Sequence, residues 1–255
     1  MNDDVDRLAT RIKEAHRFTI LTGAGVSAAS GVPTFRGQEG LWGQYRPEDL
    51  ATPQAFGRNP LLVWQWYSWR REMIAACRPN AAHEVIAAWS CRPGCQVVTQ
   101  NVDDLHIRAG TRSLVRIHGS IWELSCWNSC SKGSTPWRDE SVQFGELPPR
   151  CPHCGGTARP AVVWFGESLR GEDLAAALHA TTCDVFLAVG TSAVVYPAAG
   201  LLDEARNRGA FTAEINLEPT PVSDAVDLAI QGPAEVILPL VAGRDERAVT
   251  ETRAL

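Results

Sequence analysis

Residues 3–16 place apolar side chains at helical spacing (Val5, Leu8, Ala9, Ile12), which predicts an opening amphipathic helix. Phe18 to Leu21 then reads as a short buried strand, followed at once by Gly23-Ala-Gly-Val-Ser-Ala. Further apolar runs of strand length lie at Gln96–Thr99, Leu114–Ile117, Val185–Val189 and Phe211–Asn216. Helical patterns separate them, at Ala81–Trp89, Asp104–Ala109, Gly171–Ala180 and Ala198–Arg208. Strands alternating with helices predict an α/β fold with a doubly wound, mostly parallel sheet. Two stretches break that rhythm. Residues 44–77 are aromatic-rich and helical, and residues 121–159 hold Cys, Gly, Pro and Ser with little periodicity. Both read as insertions that form a smaller lobe beside a larger one made of 1–43, 78–120 and 160–245, within one catalytic domain spanning 1–255. No internal repeat is visible.

Composition narrows the class. Of 255 residues, 45% are hydrophobic, enough for a real core. The formal net charge of −5 argues against direct nucleic-acid binding, which rests on clustered Lys and Arg. The opening Met1-Asn-Asp-Asp-Val-Asp lacks the basic-then-apolar pattern of a signal peptide. The uncharged run from Val185 to Leu202 is broken by Gly190-Thr-Ser, Pro197 and Gly200, so a strand, a loop and a helix start explain it better than a membrane span. These features point to a soluble, cytoplasmic protein with no membrane partner.

Gly23-Ala24-Gly25-Val26-Ser27-Ala28 follows a strand and matches G-x-G-x-x-G/A. Its glycines let backbone N–H groups approach a pyrophosphate, and the helix start behind them adds positive dipole, which makes the sheet Rossmann-like. An ordinary tight turn would read the same way. The continuation departs from a simple dehydrogenase, because Gly31-Val-Pro33 stops the helix and Thr34-Phe35-Arg36-Gly37 makes a loop. His118 closes the run Leu114–Ile117 beside Gly119, at a strand end, where open α/β sheets place ligands. His16, His83, His106, His153 and His179 carry no such context and read as structural.

Four cysteines look metal-binding. Cys151-Pro-His-Cys154 is a C-x-x-C with Gly155-Gly156 beyond it, and Cys126 with Cys130 supplies a second pair. Spacings of two to four residues suit tetrahedral Zn²⁺, and four thiolates leave no open position, so one structural Zn²⁺ is expected. His153 is a possible substitute ligand, hindered by its place between the paired cysteines. Cys91 and Cys95 read as loop, and Cys77 and Cys183 as structural.

Taken in order, Gly23 to Gly37, Thr99-Gln-Asn-Val-Asp-Asp-Leu-His106, Ile117-His-Gly119, Gly190-Thr-Ser192 and Ile215-Asn216 resemble the signature of the sirtuin family over roughly residues 10–240. Cys126-x-x-x-Cys130 departs from the family by one residue, with Ser129 where a cysteine would stand. The resemblance implies an NAD-dependent protein deacylase acting on acylated-lysine proteins. NAD is the co-substrate, its bond to nicotinamide breaks, and the acyl oxygen attacks the ribose carbon. A base then activates a ribose hydroxyl, and the products are free lysine, nicotinamide and O-acyl-ADP-ribose. His118 would be that base, because histidine titrates near neutral pH.

The remaining roles follow the same resemblance. Asn101 and Asp103 would hold the nicotinamide ribose and carboxamide, and Gln100 the ribose hydroxyls. An alternative for Asn101 and Asp103 is an Asx turn capping the helix from Asp104. Gly23, Ala24, Gly25 and Ser27 form the glycine loop, with Phe35, Arg36 and Trp42 on the nicotinamide side. Gly190, Thr191 and Ser192 meet the ribose-phosphate region, Asn216 and Glu218 the adenosine half, and Ala234 the adenine pocket. Val163, Phe165, Gly166 and Glu167 resemble the substrate cleft, where an extended peptide adds as a strand; a core strand would fit those residues too. Tyr67 and Arg70, three apart on one helix face, with the small Ala51, resemble the bacterial desuccinylase/demalonylase-like sirtuins, which remove succinyl and malonyl groups. Otherwise Tyr67 packs among tryptophans and Arg70 is solvated. Two rivals remain open: an ADP-ribosyltransferase using the same NAD site, and a zinc-ribbon binding module.

Overall fold

A computed structural model describes residues 2–34 and 46–244. Phe35, Arg36 and Trp42 therefore lie outside the described residues. In chain order the elements begin with α1 (Asn2–Glu14), β1 (Phe18–Thr22) and α2 (Gly25–Ala28). Three helices follow, α3 (Pro47–Leu50), α4 (Pro53–Arg58) and α5 (Pro60–Ala76). Then come α6 (Ala81–Ser90), β2 (Cys95–Thr99), α7 (Leu105–Arg108) and β3 (Leu114–Arg116). The strands β4 (Gly119–Cys126), β5 (Trp137–Arg138) and β6 (Ala158–Val162) come next. The chain continues through α8 (Gly171–Ala180), β7 (Val185–Val189) and α9 (Gly200–Asn207). The last described elements are β8 (Phe211–Asn216), β9 (Leu228–Gln231) and α10 (Ala234–Ala242).

The main sheet has the order β3-β2-β1-β7-β8-β9, with every pairing parallel. From β1 the chain winds outward through β2 to β3, then returns to the other side of β1 at β7. The order therefore reverses between β1 and β7, and ligands of open α/β sheets sit beyond the strand ends at such a point. One sheet face packs on α1, α6 and α10 through Leu8, Ile12, Ile86, Trp89, Ile237 and Val241. The other packs on α8 and α9 through Ala177, Leu201, Leu202 and Ala205. Strands β1 and β7 are buried along their whole length, as a parallel sheet covered on both faces requires.

A second, antiparallel sheet, β5-β4-β6, shares its core with α3, α4 and α5. Asn59 caps α5 by accepting from the Leu62 N–H at 3.0 Å, and Pro60 fills the first helical position. Arg71, fully buried on α5, ties the helix to β4. Its Nε donates to the Ile121 carbonyl at 2.8 Å and its Nη1 to Asp139 Oδ1 at 2.5 Å. Asp104 joins the two sheets. Its buried carboxylate accepts from Ser120 Oγ at 2.8 Å and pairs with Arg116 and Arg138.

One expectation and one alternative need correction. Cys95 is not loop but the first residue of β2. The segment after Val162 is not a core strand, because β6 ends there and Val163 to Glu167 leave the sheet. The pattern reading also passed over β9 and α10. The strand shows only Leu228 and Ile230 as buried apolar positions, and Pro239 interrupts the helix pattern.

Candidate active site

A cavity of about 1020 Å³ opens at the reversal point, at the upper end of the size usual for small-molecule sites. Its floor is the loop after β1 laid against the loop after β7. The Gly25 N–H donates to the Gly190 carbonyl at 2.8 Å, and the Gly23 N–H to the Val189 carbonyl at 3.0 Å. A Cβ on Gly25 would come within 2.8 Å of the Gly190 backbone, so the glycines here also let two loops touch. Gln100 crosses the same floor, its Nε2 donating to Thr191 Oγ1 at 2.8 Å. Asn216 Nδ2 donates to the Thr191 carbonyl at 3.0 Å. Ala24, Ser192, Glu218 and Ala234 complete this end of the wall.

Asn101 lines the cavity while its Nδ2 donates to the Gly23 carbonyl at 3.0 Å, holding the loop in place. Ser27 and Asp103 sit one layer behind the wall. Ser27 Oγ donates to Asp103 Oδ2 at 2.8 Å, and Asp103 Oδ1 accepts from the Leu105 N–H at 2.9 Å. Asp103 thus makes the Asx turn that starts α7, and burial raises its carboxyl above the usual range.

His118 reaches the cavity from the turn between β3 and β4. Gly119 makes that turn at a φ of +76°, and a Cβ there would lie 2.1 Å from the Ala161 carbonyl oxygen. His118 Nδ1 lies 3.1 Å from the Gln100 carbonyl. A carbonyl only accepts, so Nδ1 carries the hydrogen and Nε2 keeps its lone pair. Burial lowers the His118 pKa, opposed by that hydrogen bond.

At the far end Ala51, Tyr67 and Arg70 line the same cavity. Arg70 is not solvated; it is only 4% exposed, with its guanidinium 4.9 Å from the centre of the Trp66 ring. Burial lowers its pKa, opposed by Tyr67 and Asp103. Tyr67 packs edge-on against Trp66 and is equally buried. Between the two ends run Val163, Phe165, Gly166 and Glu167. The Val163 N–H donates to the His118 carbonyl at 3.0 Å and the Phe165 N–H to the Ala51 carbonyl at 2.9 Å. This segment therefore stitches His118 to the Ala51 side. Glu167 is occupied by Arg159 and by the Trp164 N–H. Trp164, Tyr196 and Pro233 also line the cavity and were not singled out from the sequence. Trp164 stands within the Val163–Glu167 segment that resembles the substrate cleft, while Pro233 belongs to the β9–α10 turn that the pattern concealed.

The four cysteines meet away from this cavity. The thiols of Cys126, Cys130, Cys151 and Cys154 lie within 4.8 Å of one another. Zn–S bonds of about 2.3 Å in a tetrahedron put sulfurs about 3.8 Å apart. Cys126 and Cys154 are 3.6 Å apart, and Cys130 and Cys151 3.8 Å, so the cluster fits Zn²⁺. The extra residue in the first pair is absorbed at Ser129, which takes a left-handed φ of 49°. His153 instead packs against Trp137. The protein is expected to hold one Zn²⁺ per chain. Cys151→Ala should lose it together with a large drop in melting temperature, since structural zinc supplies folding energy. Elemental analysis beside a thermal melt checks this, and full zinc content in Cys130→Ala would place the fourth ligand elsewhere.

The Sir2 family model matches residues 23–197, which spans the glycine loop, His118 and the zinc cysteines. An "NAD-dependent protein deacylase 2" of Pyrobaculum aerophilum is 47% identical over 250 residues, covering 97% of this chain and 98% of the relative. A solved Sir2 homologue–NAD complex is 43% identical with a TM-score of 0.87, covering 95% of this chain and 94% of that one. A Sir2 structure with a deacetylated p53 peptide and 3'-O-acetyl ADP-ribose is 28% identical with a TM-score of 0.82, covering 93% and 96%. On this agreement across nearly its whole length, the chain belongs to the Sir2 family.

Proposed function

We infer that this chain is an NAD-dependent protein-lysine deacylase that removes acetyl groups and, through Tyr67 and Arg70, succinyl and malonyl groups. The observation that carries the reading is one continuous cavity lined by Gly23, His118 and Arg70. A dinucleotide-type floor, a neutral imidazole and a buried cation thus share one space. NAD, once bound, supplies an electrophilic ribose carbon and the ribose hydroxyls. Its binders in this chain are Gly23, Ala24, Gly25, Gln100, Asn101, Gly190, Thr191, Ser192, Asn216, Glu218 and Ala234. Ser27 and Asp103 support that set from behind, by holding Asn101 and the glycine loop. His118 accepts a proton at Nε2, and the Gln100 carbonyl fixes the tautomer that makes this possible. The acylated protein lies along Val163, Phe165 and Gly166, with Ala51 leaving room for a longer acyl chain. Phe35, Arg36 and Trp42 complete the nicotinamide side in this proposal.

The chain works as one catalytic domain, with NAD held by the larger lobe and the acyl group read by the helical part of the smaller. Among the described residues no helix is long and apolar enough to cross a membrane. A zinc-thiolate cluster suits a reducing compartment, so the cytoplasm is the proposed location, and the acidic balance disfavours nucleic acid as a partner. Incubation with acetyl-, succinyl- and malonyl-lysine peptides, with and without NAD, tests the whole reading by mass spectrometry. Each peptide should lose its acyl group only with NAD and release O-acyl-ADP-ribose. A covalent ADP-ribose adduct on the peptide with no deacylation would establish transferase chemistry instead, and no turnover at all would end the enzymatic reading.

A further inference from the structure

Trp164 lines the cavity beside Tyr67 and is itself only 2% exposed, and its Nε1 lies 2.9 Å from the phenol oxygen. An indole N–H only donates, so Tyr67 must be the acceptor. Among the described residues this is the only hydrogen bond of the Tyr67 hydroxyl, and it leaves the phenol proton uncommitted. Both Tyr67 and Arg70 line the cavity. The indole itself is held on two sides. Arg159 lies over its ring at 3.6 Å from the centre and forks onto Glu167 at 2.5 and 2.9 Å. Glu167 Oε2 also accepts the Trp164 backbone N–H at 2.9 Å. Phe56 packs on the indole, with ring centres 5.2 Å apart.

We propose that Trp164 is a positioning residue for acyl selectivity. By occupying the acceptor side of Tyr67, it turns the phenol into a donor beside Arg70, so that the acyl end of the cavity offers donors to a carboxylate. The Arg159–Glu167 pair fixes the indole in that task. This rests on the reading that Arg70 and Tyr67 receive the distal carboxylate of succinyl- or malonyl-lysine. An acetyl group has no such carboxylate and does not use the phenol proton.

Trp164→Phe keeps an aromatic ring and removes the N–H. On matched peptides at saturating NAD, desuccinylation kcat/KM should fall about 5-fold, the scale of one neutral hydrogen bond, mainly through KM. Deacetylation should lose clearly less, so that the ratio of the two kcat/KM values shifts towards the acetyl peptide, because an acetyl group does not use that bond. In a Tyr67→Phe background the same change should cost nothing further, since the indole acts through the phenol. Equal losses on both substrates, or an undiminished loss in the Tyr67→Phe background, would overturn the proposal. If Trp164→Phe does not fold, Arg159→Lys decides, because it loosens the indole without removing it. A loss selective for the succinyl peptide supports the proposal, and an equal or absent loss overturns it. Arg70→Met separates this inference from the reading beneath it. If Arg70→Met spares desuccinylation, the carboxylate reading fails; if it discriminates and Trp164→Phe does not, only the role of Trp164 fails.

Discussion

His118→Ala should fold, keep its affinity for NAD and lose deacylation by ~10²–10⁴-fold, the usual cost of removing a general base. The variant deletes the one cavity-lining imidazole whose tautomer a backbone carbonyl sets. Its main chain, which accepts from Val163, stays in place. Measured by NAD titration and single-turnover kinetics, near-normal turnover in a folded variant would remove His118 from the chemistry. The pH profile carries the same information. The base must be neutral to act, and burial lowers its pKa. The acid limb of kcat/KM should therefore lie below the range of an ordinary histidine.

Stability limits how far that limb can be followed. His83 and His106 are buried behind the glycine loop, and burial holds them at about 4 and about 3. Thr22 Oγ1 gives its hydrogen to Thr99, so His106 Nε2 carries the hydrogen between itself and Thr22. Its Nδ1 then has no partner among the described residues for an added proton. Unfolded imidazoles take up protons below about 6.5 while these do not, so the unfolded state binds more protons there. Their contribution to stability is full above that value and is lost as the pH falls towards 3. Rates in acid should be paired with a fluorescence check of folding.

The sheet was legible because its strands are short apolar runs bounded by glycine or polar turns, and Val185–Val189 and Phe211–Asn216 match their predicted limits. The zinc cluster was legible because paired cysteines at close spacing have few other uses. What stayed hidden is tertiary. Nothing in a G-x-G spacing says that Gly25 must also let the Gly190 loop approach. A serine in the glycine loop reads as a ligand contact, yet Ser27 points away from the cavity to Asp103. Nor does the place of Trp164 within the Val163–Glu167 segment say that its indole N–H meets Tyr67. Long-range partners of this kind leave no periodic trace in the chain. The antiparallel sheet also went unread, because β4 (Gly119–Cys126) and β6 (Ala158–Val162) fall largely in or beside a stretch of little periodicity.

Replacing Arg70 by Met should divide the acyl substrates. The side chain is buried at the acyl end of the cavity, stacked on Trp66, and carries a charge that an arginine keeps at neutral pH. Succinyl- or malonyl-lysine brings a carboxylate that this guanidinium can meet in a charge-assisted bond. Truncating one member of such a desolvated pair costs about 2–5 kcal/mol, or roughly 30- to 4000-fold in kcat/KM. Most of that loss should appear in KM, because the distal carboxylate is remote from the reacting carbonyl and is bound alike before and during reaction. Acetyl-lysine leaves the end of the cavity empty of charge, so deacetylation should persist or rise as the wall becomes less polar. Tyr67→Phe should show the same bias more weakly, since it removes a neutral donor. Parallel kinetics on matched peptides decide the matter. Equal losses on both substrates would mean that Arg70 holds α5 and Trp66 in place and does not read the acyl group.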